Sequence, residues 1–322
     1  GHPFVTASVT KETLALFRHE ALALVRADLD RLGAGASLSE HRQPPPADFA
    51  AWIEERALAL GPAGRATVDR NPGEPWRQAV GLMVAALPPV EGEPPPWAYR
   101  HPRELITDLE RLRTALVEVG AARLARHDVD PVIRAVATFG FHLAALDIRQ
   151  NSAFHDRALA QLLDLAGVPE GADFAAWSEA ERRRLLQREL ATLRPFAHPR
   201  EDAGHEAREV IDTYRIVRDH RARYGGDGLG AFIVSMTRGP ADLFAVLVLA
   251  RDAGLLERHD DGPCCPLPVV PLFETIDDLH HAPATLDAFL REPLVKRSLE
   301  LQARARGEAT PVQQVMIGYS DS

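Results

Sequence analysis

Four short apolar runs occupy the second half of this 322-residue chain: Leu143–Ile148, Ala231–Met236, Val269–Phe273 and Val315–Tyr319. Helical patterns separate them, over Phe154–Leu165, Trp177–Leu193, Arg208–Tyr224, Asp242–Ala253 and Pro283–Leu290. Such alternation restricts the fold. Strands joined by helices pair in parallel, because each crossover returns the chain to the same end of the sheet before the next strand starts. Four strands are too few to close a barrel, so the pattern predicts half of one, or an open sheet.

The first half reads as helical. Thr10 can cap a helix from Lys11 to about Arg31, where Leu14, Phe17, Ala21, Leu24 and Val25 recur at helical spacing. Shorter patterns cover Asp48–Leu60 and Trp76–Leu87. A longer one runs from about Arg103 to His127 on Leu105, Leu109, Leu112, Leu116 and Val119. Pro44-Pro45-Pro46 is a stiff break, and Pro88–Pro96 is the best linker candidate. Two regions are expected: a helical one with Pro-rich breaks, residues 1–128, and a strand-bearing one, residues 129–322.

The residues at the end of each strand carry the chemistry. Arg149-Gln150 stands past the first, Ser235-Met236-Thr237-Arg238 closes the second, Glu274 and then Asp277-Asp278 stand past the third, and Ser320-Asp321 closes the fourth. In a (β/α)8 barrel the strand C-termini line the mouth where reactions occur. Strand ends are also polar simply because they enter loops. Glu274 and Asp321 stand at matching depth on different strands. Converging carboxylates repel unless a proton or cation is shared between them. Mg2+ is commonly held by one or two carboxylates with waters and substrate oxygens; caps and surface ion pairs are the other use of such residues. Arg149 suits bidentate capture of phosphate or carboxylate. Equally, it can pair internally with Asp147 or another strand-end carboxylate.

Composition removes several classes. With 46% apolar residues the chain can bury a sizeable core. A net charge of −9 argues against a nucleic-acid partner. The longest apolar run, Leu243–Ala250, falls short of the roughly 20 residues that span a bilayer, so no membrane partner is expected. The two cysteines, Cys264-Cys265, make neither a disulfide framework nor a four-ligand zinc site, and suit a reducing cytoplasm. Lys11 and Lys296 are the only lysines among 37 basic residues, and the scattered arginines read as codon bias. Arg182-Arg183-Arg184, among Glu179, Glu181 and Glu189, reads as a solvated helix face, and His280-His281 as an exposed loop. Gly225-Gly226-Asp227-Gly228 is a turn without phosphate-loop spacing. The chain opens on Gly1-His2-Pro3 and stops just past a strand-like run at Ser322, so it is expected to be a segment of a longer protein.

The strand ends also carry a resemblance. FGFHLAALDIRQNS (residues 139–152), AFIVSMTRGPAD (231–242), VPLFETIDDLHHAPA (270–284) and VMIGYSDS (315–322) resemble the barrel segments of phosphoenolpyruvate carboxylase, in the right order. The opening GHPFVTASVT is similar to the stretch after that family's Gly-Gly-Asp-Arg-Asp signature. Asn151 stands where many members have Glu, and Thr237 and Ala241 replace the more usual Ala and Ser.

The resemblance implies an α/β fold, mostly helical, of the (β/α)8 TIM-barrel type, with only part of the barrel in this chain. It implies an enzyme joining phosphoenolpyruvate to bicarbonate, giving oxaloacetate and phosphate, dependent on Mg2+ or Mn2+. A cytoplasmic homotetramer is expected. Glu274 and Asp321 match the family's metal ligands, and Arg149 an arginine near the substrate phosphate. The family's catalytic histidine and lysine match no position here, so no catalytic residue is assigned within this segment. The implied route is stepwise: bicarbonate attacks phosphate to give carboxyphosphate and an enolate, whose charge the cation offsets. Two alternatives stand beside it. One is a non-catalytic paralogue or helical interaction module that keeps the barrel motifs. The other is a different metal-dependent, enolate-forming barrel enzyme, against which the intact LFETIDDL and MIGYSDS strings argue.

Overall fold

The computed structural model describes residues 5–196, 198 and 201–318. In chain order its elements are α1 (Ala7–Gly35), α2 (Ala47–Ala59), α3 (Pro62–Arg70), α4 (Pro75–Ala85), α5 (Pro102–Glu118), α6 (Ala122–Leu124), α7 (Asp130–Phe139), β1 (Leu146–Asn151), α8 (Ser152–Leu165), α9 (Glu179–Glu189), α10 (His205–Tyr224), β2 (Leu229–Ser235), α11 (Pro240–Asp252), β3 (Glu257–His259), β4 (Gly262–Cys264), β5 (Val269–Phe273), α12 (Ile276–Leu290), α13 (Pro293–Arg306) and β6 (Met316–Ile317). They form two compact units. One comprises Thr13–Ala145 with Arg223–Gly228. The other comprises the N-terminal segment to Glu12, Leu146–Ala222 and the chain from Leu229 onward. Among the described residues no helix is long and apolar enough to cross a membrane.

The first unit is helical. Phe49 stacks between Trp52 and Trp76, with ring centroids 5.4 and 5.3 Å apart, and the Trp76 indole N–H donates to the Gln43 carbonyl at 3.2 Å. Pro88–Pro96 is not a linker but lies inside this unit. Proline lacks an N–H, so carbonyls there need other donors; Arg18 supplies them, to Val90 O at 3.2 Å and Pro89 O at 3.1 Å. The single helix expected to His127 is broken. Gly120 takes φ +82°, where a Cβ is disfavoured, and a π-turn over Ala125–Val129 precedes α7, in which Pro131 cannot donate. Thr10 does not cap α1. The helix begins earlier, with Thr6 Oγ1 accepting from the Val9 N–H at 3.3 Å, and Thr10 is buried within it.

The second unit carries a four-stranded sheet ordered β1-β2-β5-β6, with every neighbouring pair parallel. The described residues do not close a barrel, and a parallel sheet in chain order fits both expected forms, half a barrel and an open sheet. Strand β1 begins three residues later than expected, because Leu143 adopts φ +63° in the turn after α7. Arg149 and Gln150 therefore lie within β1 rather than after it. The antiparallel β3–β4 ribbon and helix α13 had no counterpart in the sequence reading. Helix α11 is buried on all sides from Pro240 to Arg251, as its apolar run Leu243–Ala250 requires, with the charged Asp242 and Arg251 buried at its ends. On one face of the sheet, Phe232 packs against Tyr214 of α10 with ring centroids 4.3 Å apart. Ala231, Ile233, Val270 and Leu272 form an apolar cluster on the other.

Candidate active site

Strand register decides where the charged side chains point. Arg149 pairs with Ile233, and Ile233 with Val270. Paired residues of parallel strands share a face, so Arg149 emerges on the side of Ile233, Val270 and Leu272. Glu274 continues that alternation one residue past β5. The two side chains meet: Arg149 Nη2 donates to Glu274 Oε1 at 3.0 Å. Of the two roles open to Arg149, internal pairing with a strand-end carboxylate is the one seen. Asp147 instead accepts from the Ala231 N–H at 2.8 Å.

The second oxygen of Glu274 is held from another strand end. Met236, one residue past β2, donates its backbone N–H to Glu274 Oε2 at 2.8 Å. Its φ of +56° is unusual for a residue with a side chain. The Met236 carbonyl accepts from Ser152 Oγ at 2.7 Å, which ties in the end of β1. The fourth strand arrives through Gly318, whose N–H donates to Phe273 O at 2.9 Å. A Cβ on Gly318 would lie 3.1 Å from Glu274 Cγ, so a side chain there would crowd the carboxylate. Asp321, the other carboxylate expected here, lies outside the described residues.

Beside this cluster stands a buried charge network around Arg182, a residue expected on a solvated helix face; its neighbours Arg183 and Arg184 are exposed as expected. Arg182 is only 6% exposed. Its Nη1 donates to both carboxylate oxygens of Asp156 at 3.0 Å and to Asp242 Oδ1 at 3.3 Å, and its Nη2 donates to Glu179 Oε2 at 3.0 Å. Arg238 completes it, donating from Nη2 to Asp156 Oδ2 at 2.6 Å and to Asp242 Oδ1 at 2.7 Å. Hydrogen bonds to Asp242 push the Arg238 guanidinium pKa well up, against burial, which acts the other way. Burial pushes the Glu179 carboxyl up, although the Ala241 N–H and Arg182 oppose it. A signal for this network was present in the sequence: Asp156 and Asp242 sit on apolar helices, and a buried carboxylate requires a cation.

Other candidates resolve as structure. Asp278 Oδ2 accepts from the N–H groups of Glu274 (3.2 Å) and Thr275 (3.0 Å), while Thr275 Oγ1 accepts from the Asp278 N–H at 3.1 Å. The pair is the capping box of α12. His280 and His281 are exposed, but on that helix rather than in a loop, because the box starts α12 ahead of them. Cys264 and Cys265 are buried; burial raises both thiols, Cys265 to about 12, so neither is a ready nucleophile.

Among the described residues no group of three or more His, Cys, Asp or Glu is arranged to hold a metal ion. Glu274 nonetheless fits one ligand of a hard cation. Its side chain is 14% exposed, and each oxygen accepts one hydrogen bond of the two it can take.

The family model of phosphoenolpyruvate carboxylase matches residues 1–322. Phosphoenolpyruvate carboxylases of Rhodopseudomonas palustris (strain BisA53) and Aromatoleum aromaticum are each 36% identical to this chain, over 336 and 339 residues, covering all of it and 34% of their own length. That of Mycobacterium avium is 34% identical over 336 residues, with the same coverage. The chain thus spans about a third of the length of the curated relatives it matches. The match of the family model over the whole chain, with these likenesses, places the chain in the phosphoenolpyruvate carboxylase family.

Proposed function

We propose that the chain is the central portion of a bacterial-type phosphoenolpyruvate carboxylase, which converts phosphoenolpyruvate and bicarbonate to oxaloacetate and phosphate as a cytoplasmic homotetramer. The observation that carries this reading is the Arg149–Glu274 pair at the common strand ends, in a chain of this family. In this reading Glu274 and Asp321 hold Mg2+ or Mn2+. When bound, the ion supplies concentrated positive charge against oxygen anions that develop on the substrate.

The chain's own groups do the rest. Arg149 keeps a guanidinium at the mouth, a third of its side chain solvent-exposed, where it can bind the substrate phosphate. Arg149 and the Met236 N–H fix both oxygens of Glu274, so the carboxylate needs no reorientation on binding. The apolar floor of Ala231, Ile233, Val270 and Leu272 lowers the local dielectric, which strengthens charge interactions above it. Acid–base groups come from parts of the protein beyond these residues.

The test is a coupled oxaloacetate assay on the intact protein encoded by the reading frame that carries this chain. Glu274→Gln and Asp321→Asn should each lower kcat/KM by about a hundredfold or more. Arg149→Ala should raise the KM for phosphoenolpyruvate and lower kcat. Unchanged kinetics in all three would overturn the assignment, and a well-folded intact protein without turnover would favour the non-catalytic paralogue.

A further inference from the structure

Met236 is held in a conformation that its own side chain opposes. A left-handed φ brings Cβ against the neighbouring carbonyl, so residues other than Gly leave that region unless tied. Both polar groups of Met236 are tied, and to different strands: its N–H to Glu274 past β5, and its carbonyl to Ser152 past β1. The N–H and the carbonyl belong to the two peptide planes on either side of the Met236 Cα, so with both held φ is fixed between them, and a rotation toward the extended region would break at least one of the bonds.

The next residues along the chain are anchored independently. Thr237 is fully buried, with its hydroxyl donating to Val234 O at 2.7 Å, and the Arg238 N–H donates to Asp242 Oδ2 at 2.7 Å. These contacts hold the loop downstream; the peptide plane carrying the Met236 carbonyl is held by Ser152 at 2.7 Å and, at the longer distance of 3.4 Å, by the Thr237 N–H donating to Leu272 O. Ser152 is 2% exposed and is the first residue of α8, so its position is set by that helix rather than by the loop it touches.

We propose that Ser152 is a positioning residue: its buried hydroxyl locks the Met236 peptide so that the Met236 N–H is aimed at Glu274. The consequence for cation binding rests on the reading of Glu274 as a ligand; the geometric part does not. Removing the hydroxyl leaves the Met236 carbonyl without this donor and frees the turn, at the cost of one hydrogen bond, which corresponds to about tenfold in an equilibrium.

The experiment uses the intact protein, with two readouts. Hydrogen–deuterium exchange should show the Met236 amide of Ser152→Ala exchanging about tenfold faster, with helices α8 and α11 unchanged. Mn2+ titration followed by electron paramagnetic resonance should show about tenfold weaker binding in the same variant. Ser152→Thr, which keeps the hydroxyl, should restore both. Adding Met236→Gly to Ser152→Ala should recover part of the Mn2+ affinity, because Gly accepts positive φ. Unchanged Met236 exchange in Ser152→Ala overturns the proposal. If Glu274→Gln binds Mn2+ as well as the parent does, the cation reading fails instead, and the exchange data still decide the role of Ser152.

Discussion

A side chain removed from water shows its environment most clearly through its titration, and His155 is the sharpest case here. It is fully buried on α8, with Nε2 3.4 Å from the Tyr214 hydroxyl. Burial lowers its pKa to about 4, and the nearby Asp242 carboxylate only partly opposes that. The folded state therefore refuses a proton that the unfolded chain accepts near pH 6.5. Between about pH 6.5 and 4 the unfolded state binds more protons, so stability falls as pH falls through that window. The full contribution is present above pH 6.5. Its loss is on the order of 3 kcal/mol by pH 4. His155→Gln, which keeps a polar group beside Tyr214, should flatten the acid limb of a plot of thermal midpoint against pH. Asp108 and Glu179, whose carboxyls burial pushes up, act in the opposite direction in both proteins and cancel in the comparison. An acid limb identical in parent and variant would show that His155 is not the group responsible.

Elements meet through Arg182, which joins α9 to Asp156 on α8 and Asp242 on α11. Removing one partner of a buried pair leaves uncompensated charge, at about 3–5 kcal/mol. Arg182→Ala leaves two carboxylates that are 3% and 0% exposed with the half-exposed Arg238 as their remaining cation. It should lower the thermal midpoint by about 10 °C, whereas Arg184→Ala on the exposed side of α9 should move it little. Equal effects of the two would mean the network adds nothing beyond surface pairing. The contrast between Arg182 and Arg184 also shows what the sequence could tell. Periodicity located much of the helical chain and the Val269–Phe273 strand, since both depend on local apolar spacing, but it missed α3 and α13 and the ends of α5 and α12. It placed Glu274 just past a strand, but set Arg149 past β1 rather than within it, and that the two side chains share a face follows from strand register, which is not local. It misread Arg182, since an arginine run looks alike whether it meets water or carboxylates distant in sequence. It missed the Met236 amide for a related reason: a backbone donor leaves no residue-type signal, and only the fold reveals a positive φ. The β1 boundary slipped because Leu143, an apolar residue, takes a turn conformation that apolar patterning cannot report.

At the scale of the whole chain, the sheet itself forecasts behaviour. Strands β1 and β6 end the order β1-β2-β5-β6, so each has one side without a strand partner among the described residues. Met316 and Ile317 in β6 are 37% and 63% exposed, and Met236, Ile276 and Leu279 add exposed apolar surface around the strand ends. Open, apolar strand edges recruit other chains unless they are covered, and a parallel sheet of this type is normally closed or flanked. The 322 residues purified alone should therefore associate in a concentration-dependent way, visible by light scattering. They should also fail to carboxylate phosphoenolpyruvate. The proposed reading places the acid–base groups of the reaction outside these residues, and the loss of one such group typically costs about 10²–10⁴-fold. Glu274 and Arg149 would remain to hold a cation and a phosphate, which is a binding function and not turnover. The measurement is a coupled oxaloacetate assay on the isolated chain with Mg2+, bicarbonate and substrate, beside the intact protein at equal concentration. Turnover by the isolated chain in the ordinary enzyme range of roughly 1–10³ s⁻¹ would show that the strand-end cluster suffices for the chemistry, and that the division of labour proposed for this protein is wrong.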